Sequence, residues 1–294
     1  MSSRSASPAE RLPRDEYAGY WRSIKIGADQ RERLLAHALV GLNLRRTLPF
    51  EQAPVHGLLV LTGPPGTGKT TLALGLADQV ARMLPKDTVQ LLQVDPHALA
   101  SAALGKSQQQ TTQLFAQTIV EAALVGPLVV LLDEVETLAA DRRRLSLEAN
   151  PIDVHRTTDA VLAGMDMIAR RHRSVIFLAT TNFSEAVDSA LLSRADLIEN
   201  IGLPGYDARL EIIKDVLAAL QTGWPHLKKL EDELPAYCRA SEGLDGRRLR
   251  KAVLGAMAQS IAVAKDPTLL TSQDVIQSIR SSAAATTEVT HEAA

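Results

Sequence analysis

The chain has 294 residues, 46% of them hydrophobic, which is enough for one large packed core or two moderate ones. Aromatics make up only 3%, so the core must be built from Leu, Ile, Val and Ala. A net charge of −2 argues against a nucleic-acid-coating surface; the lone Cys238 excludes an intrachain disulfide and points to a reducing compartment; no apolar run reaches bilayer length.

Met1 to Pro13 is rich in Ser, Pro and Arg and has no apolar signal segment, so the reading is a mobile arm on a cytoplasmic protein. Tyr17, Tyr20 and Trp21 then hold much of the aromatic supply. They either dock on a partner or, more simply, pack on the protein's own surface. Asp29 to Arg46 places Leu34, Leu35, Ala38, Leu39 and Leu42 on one face, which predicts an amphipathic helix with Asp29 as its N-cap.

His56 to Thr62 reads as a buried parallel strand, and Thr71 to Met83 as a helix. Between them stands Gly63-Pro64-Pro65-Gly66-Thr67-Gly68-Lys69-Thr70, followed by Thr71. This fits G-x-x-x-x-G-K-[ST], the phosphate-binding P-loop. Glycines let successive backbone N–H groups turn toward phosphate oxygens, and the helix N-terminus adds positive potential there. Lys69 reaches the β- and γ-phosphates, and the Thr70 hydroxyl is placed to ligate Mg²⁺. ATP and Mg²⁺ are therefore the expected ligands.

Val89 to Val94 is a second predicted strand, followed by a short Ala-rich piece from His97 to Leu104 that Gly105-Lys106 breaks. Ser107 is the expected cap of a helix to about Leu124, with Leu114, Phe115 and Ile119 inward. Pro127 to Leu132 is an apolar strand closing on Asp133-Glu134, a Walker B pattern. Asp133 would hold the Mg²⁺ shell, and Glu134 would polarise the attacking water as general base. Asp141 to His155 reads as a loop and Arg156 to Ile168 as a helix; the basic run Arg170 to Arg173 suits a solvated helix end. Ser174 to Ala179 is a strand ending at Thr180-Thr181-Asn182, where Asn182 can bond the attacking water or the γ-phosphate. Leu197 to Ile201 is the last predicted strand.

After Pro204 the pattern is helical only. Helices are predicted over Ala208–Leu220, Lys228–Glu242, Arg247–Ala264 and Ser272–Ile279, the last capped by Ser272. Ser281 to Ala294, rich in Ala, Thr and Glu, reads as disordered. The expected organisation is an arm over residues 1–26, an ATPase domain over 27–205, a helical lid over 206–280 and a tail over 281–294.

Alternating strands and helices with a P-loop and Walker B mean a P-loop NTPase. Two further arginines narrow the reading. Arg194, in Ser193-Arg194-Ala195-Asp196, suits an arginine finger acting on a neighbouring subunit's nucleotide. Arg247, in Gly246-Arg247-Arg248-Leu249-Arg250, starts a lid helix and suits a γ-phosphate sensor.

This set resembles the AAA+ ATPases and, more closely, the pachytene-checkpoint remodellers that act on HORMA-domain proteins. The closer match rests on Asp133 to Leu138, Thr180-Thr181-Asn182, Ser193 to Ile198, Ile201 to Pro204 and Ser241 to Lys251. The resemblance implies an α/β large domain with a five-stranded parallel sheet and a small all-helical lid. It also implies a homohexamer that pulls a substrate segment through its pore. Leu104, Gly105 and Lys106 match the first pore loop in position, and Arg143 to His155 the second. Where the family's first pore loop carries an aromatic, this chain has Ala103 and Leu104, so grip rests on Leu104. The short N-terminal arm is similar to that of compact bacterial members, which accompany a HORMA protein and a second-messenger synthase in anti-phage signalling. Neither membrane nor direct nucleic-acid binding is expected. The alternatives are a P-loop kinase, which Asn182, Arg194 and the lid disfavour, and a clamp-loader or initiator-type AAA+ on DNA, which the near-neutral charge disfavours.

Overall fold

Three central strands of the protein, Leu58–Thr62, Leu128–Leu132 and Val175–Thr181, are buried along their whole length, and this decides the architecture. Such strands bury both faces and need helices on both sides. The computed structural model describes residues 6–100, 106–140 and 151–292. The chain divides into two units. One comprises Met1–Arg22, Gly27–Gly63 and Lys69–Ile201, the other Ser23–Ile26, Pro64–Gly68 and Gly202–Ala294.

The first unit begins with β1 (Glu10–Arg11), α1 (Asp15–Ser23), α2 (Ala28–Thr47), β2 (Leu58–Thr62), α3 (Lys69–Met83), β3 (Gln90–Val94) and α4 (Pro96–Ala100). It continues with α5 (Lys106–Gln113), a π-helical turn (Leu114–Thr118), α6 (Ile119–Ala123) and β4 (Leu128–Leu132). Next come α7 (Pro151–Arg171), β5 (Val175–Thr181), α8 (Ser189–Leu192) and β6 (Ala195–Asn200). The sheet order is β1-β3-β4-β5-β2-β6. Five strands are parallel, as expected, but the sheet has a sixth: β1 pairs antiparallel with β3, Glu10 opposite Leu91.

The N-terminal arm, expected to be mobile, is thus paired with the sheet and packed on it over its described length. The Ser7 N–H donates to the Gln93 carbonyl at 3.0 Å, and Leu12, Tyr17 and Trp21 are buried. The two aromatics pack on the protein's own unit. Gly75 of α3 permits the dock, because a Cβ there would stand 2.6 Å from the Trp21 backbone nitrogen.

Other boundaries moved for local reasons. The helix predicted from Asp29 starts at Ala28, with Gly27 in the N-cap position and Asp29 in the first turn, where an acid suits the dipole. Ser107 lies inside α5, not at its cap. The helix predicted from Arg156 starts at Pro151, a residue whose fixed φ suits a first turn, so residues 151–155 are helix, not loop. The final strand begins at Ala195, two residues before the predicted start.

The second unit holds α9 (Tyr206–Gly223), a 3₁₀ stretch (Pro225–Glu233), α10 (Leu234–Ala240), α11 (Gly246–Gly255), α12 (Ile261–Lys265) and α13 (Ser272–Glu292). Its core gathers Ile213, Leu217, Leu230, Tyr237, Val253 and Val275. Ser260, extended and accepting from the Val263 N–H at 3.2 Å, splits the single helix predicted over Arg247–Ala264. The cap of α13 is Thr271, not Ser272. Its hydroxyl accepts from the Asp274 N–H at 3.2 Å while the Asp274 carboxylate accepts from the Thr271 N–H at 2.9 Å, a reciprocal capping box. The tail predicted to be disordered continues α13 to Glu292, in keeping with its Ala content. Ser23–Ile26 joins this unit through Lys25 on Asp215 at 2.8 Å and Arg250 on the Ser23 carbonyl at 2.8 Å.

Candidate active site

In a parallel sheet, ligands collect at the carboxyl ends of the strands. Here β5 lies between β4 and β2, with Ala179 opposite Leu132 and Thr181 opposite Thr62. The residues closing β5 therefore stand between the Walker B acids after β4 and the P-loop after β2. The sheet order alone brings the three motifs together.

The Thr70 hydroxyl donates to Asp133 Oδ1 at 2.7 Å, so the two predicted Mg²⁺-shell residues are in contact. Thr180 is a member that the sequence reading did not assign a role. Its hydroxyl donates to the same Asp133 oxygen and accepts from the Glu134 N–H at 3.1 Å. Glu134 takes φ +51° and ψ +55°, a left-handed conformation that costs an L-residue roughly 1–2 kcal/mol. Thr180 thus braces a strained turn that swings the Glu134 carboxylate off the strand axis.

That carboxylate has two partners. Asn182 Nδ2 donates to Oε1 at 3.3 Å, and His97 Nε2 stands 3.0 Å from Oε2. Asn182 Oδ1 accepts from Lys69 Nζ at 2.8 Å, and Lys69 also donates to the Gly63 carbonyl at 2.7 Å. Lys69 is 5% exposed, so its ammonium is held by oxygens that a phosphate can replace. The Asn182 N–H donates to Glu136 Oε1 at 3.1 Å. His97 gave no signal in sequence, since it belongs to no spaced motif, and Glu136, inside the Asp133 to Leu138 stretch, was assigned no role of its own. Thr71 follows in the first turn of α3 and is half-buried.

Within the second unit, Pro64–Gly68 is shaped by its glycines. Gly66 and Gly68 have φ of +84° and +91°, and Gly63, just before them in the chain, has +137°. A Cβ at Gly66 would stand 2.3 Å from Asp245 Oδ1. Asp245 caps α11 by accepting from the Arg248 N–H at 2.9 Å, and the Arg247 N–H donates to the Gly66 carbonyl at 3.3 Å. The Thr67 hydroxyl donates to the Pro64 carbonyl at 3.0 Å. The Arg247 side chain is exposed.

Arg194 is not among these residues. It precedes β6, whose first residue Ala195 lies opposite Leu58 at the start of β2, whereas the P-loop leaves the far end of β2 after Thr62. Arg194 is therefore at the opposite end of the sheet from its own P-loop, roughly 15 Å away along the strands. Its Nε and Nη2 donate to the two Asp166 oxygens at 2.8 Å each, and its Nη1 donates to the Ala190 carbonyl at 2.7 Å. The Arg194 hydrogen bond holds the Asp166 carboxyl below the usual range. Asp196 does a different job. Its carboxylate accepts the N–H groups of His56, at 3.2 Å, of Gly57, and of Leu58, at 2.9 Å, fixing the start of β2 while burial pushes its pKa up.

Leu104 and Gly105 lie outside the described residues, and Lys106 opens α5. Of the second pore-loop candidate, 143–150 lie outside them and 151–155 are in α7. Among the described residues no cluster of three or more His, Cys, Asp or Glu side chains is arranged to hold a metal, and no helix is long and apolar enough to cross a membrane.

Comparison with known proteins gives the family and the fold. The family model of the ATPase family associated with various cellular activities (AAA) matches residues 59–203. CD-NTase-associated protein 6 of Pseudomonas aeruginosa is 46% identical over 272 residues, spanning 92% of this chain and 90% of that protein. The chain belongs to the pachytene-checkpoint family of AAA ATPases. The pachytene checkpoint protein 2 homolog of Rattus norvegicus is 33% identical over 274 residues, which is 82% of this chain but 61% of that longer protein. In fold, this ATPase is similar to PCH-2 of C. elegans, with TM-score 0.76 at 24% identity over 95% of this chain and 75% of that one. It is also similar to a chain of the E. coli MS115-1 HORMA:CdnC:Trip13 complex, with TM-score 0.71 at 21% identity over 92% and 93% of the two chains. The protein binds nucleotide and hydrolyses ATP as a member of this family.

Proposed function

We propose that this ATPase remodels a HORMA-domain protein in the cytoplasm, working as a homohexamer that draws a segment of its substrate through the ring, and that it regulates a bacterial anti-phage second-messenger system. The observation that carries the assembled reading is the position of Arg194 at the sheet end remote from its own P-loop. A finger there serves only another subunit's nucleotide, so hydrolysis requires a ring. The names of its relatives, a CD-NTase-associated protein and a chain of a HORMA:CdnC:Trip13 complex, support the choice of partner.

In this reading the P-loop residues Gly63 to Thr71 bind ATP, and Lys69 exchanges the Gly63 and Asn182 oxygens for the phosphates. Glu134 takes the proton of the attacking water while Asn182 orients its carboxylate. Arg247, tied through its N–H to Gly66, senses the γ-phosphate end of the nucleotide. Arg194 neutralises charge developing on the neighbour's γ-phosphate. Thr70 and Asp133 fit Mg²⁺: the ion needs few protein ligands besides phosphates and water, and a hydroxyl and a carboxylate already in contact at 2.7 Å supply two. The ion would offset phosphate charge in the transition state. Leu104 to Lys106 would grip the substrate.

A trap variant tests the partner. Glu134→Gln keeps the shape of the carboxylate and loses the base, so it should bind ATP, stay assembled and retain a cognate HORMA-domain protein on an affinity column. Lys69→Ala should not. Equal retention of the HORMA protein by both variants, or by neither, would reject nucleotide-gated engagement.

A further inference from the structure

An arginine that acts across a subunit boundary must be aimed before its target arrives, because a flexible guanidinium would lose side-chain entropy at each turnover. Arg194 is held on two sides by its own chain. Asp166, on α7, takes Nε and Nη2 in a two-oxygen fork at 2.8 Å each, and the Ala190 carbonyl on α8 takes Nη1 at 2.7 Å. Asp166 is itself held, since His56 Nε2 lies 3.2 Å from Oδ1. His56 sits just before β2, and its N–H donates to Asp196 at 3.2 Å. The fork therefore rests on the strand that leads into the P-loop.

We propose that Asp166 is the positioning residue of the arginine finger; this rests on the reading of Arg194 as a finger in trans. A guanidinium carries five N–H groups. Asp166 and Ala190 engage three, which leaves one on Nη1 and one on Nη2 for an anion. A sequestered arginine would offer less; this one keeps a donor on each terminal nitrogen while its plane is fixed by a two-point contact. The side chains are 22% exposed for Arg194 and 39% for Asp166, so the pair is open to a neighbour and not sealed in the core.

The test is a double-mutant cycle on the assembled enzyme, reading kcat and KM for ATP and the thermal midpoint. Asp166→Asn removes the charge-assisted fork at constant size. Its kcat should fall on the order of 10²-fold with KM unchanged. The Asp166→Asn, Arg194→Ala double variant should be no slower than Arg194→Ala alone, because a positioning residue has nothing left to position. Asp166→Glu, which keeps a carboxylate, should recover part of the lost kcat. Wild-type or higher kcat in Asp166→Asn, beside a crippled Arg194→Ala, overturns the proposal and leaves the finger standing. Losses that multiply in the double variant overturn it too, since they mark a structural role. Full activity in Arg194→Ala rejects the finger itself and the proposal with it.

Discussion

Asn182 donates its amide to the Glu134 carboxylate across 3.3 Å, and the same side chain accepts from Lys69 at 2.8 Å. One residue thus spans the P-loop lysine and the proposed general base. In the proposed mechanism phosphates recruit Lys69, and the Asn182 amide, having lost one partner, serves the attacking water. Asn182→Ala should therefore cut kcat on the order of 10²-fold while ATP affinity stays within a few-fold. Steady-state hydrolysis and titration with a fluorescent ATP analogue separate the two effects. Unchanged kcat would remove Asn182 from the mechanism.

What could be read from sequence here was what is contiguous. The P-loop, Asp133-Glu134 and Thr180-Thr181-Asn182 each sit at the end of an apolar run, and the motif carries its own placement. What could not be read depends on residues that meet only through the fold. Asp166 and Arg194 are 28 positions apart, and His97 and Glu134 are 37 apart; no spacing rule joins them. The edge strand β1 was missed because two residues, Glu10 and Arg11, are too few to show periodicity. The motif Arg194-Ala195-Asp196 was legible as a unit, but its division of labour was not. Arg194 turns toward α7, and Asp196 clamps the start of β2.

Gly66 should tolerate no side chain. At φ +84° an alanine is strained by roughly 1–2 kcal/mol, and its Cβ would displace the Asp245 carboxylate that caps α11, a contact worth about 1 kcal/mol. Gly66→Ala should therefore lower the melting temperature of the second unit and weaken ATP binding, because the loop amides lose their aim. Calorimetric titration with ATP checks this. Wild-type affinity in Gly66→Ala would contradict the role given to the loop.

Acid should weaken the fold in a window set by two histidines. Burial is the main cause that holds His56 and His172 below the usual imidazole value of 6.5. The folded state then binds fewer protons than the unfolded one. The stability they contribute is complete above about pH 6.5 and is lost as pH falls through their depressed values. Asp196, pushed up by burial, acts in the opposite sense but over the carboxylate range. The melting temperature should fall as pH drops below about 6.5. The His56→Gln, His172→Gln double variant, whose amides keep hydrogen-bonding capacity, should flatten that fall. An equal slope in the double variant would assign the effect to other groups.

The most direct test of the remodelling reading is disassembly. A preformed complex of a cognate HORMA-domain protein with its bound partner is mixed with the enzyme and ATP, and the products are separated by size. The complex should come apart with wild-type enzyme and persist with Glu134→Gln, which binds ATP without turning it over. A complex that survives wild-type enzyme while ATP is being hydrolysed would contradict the account.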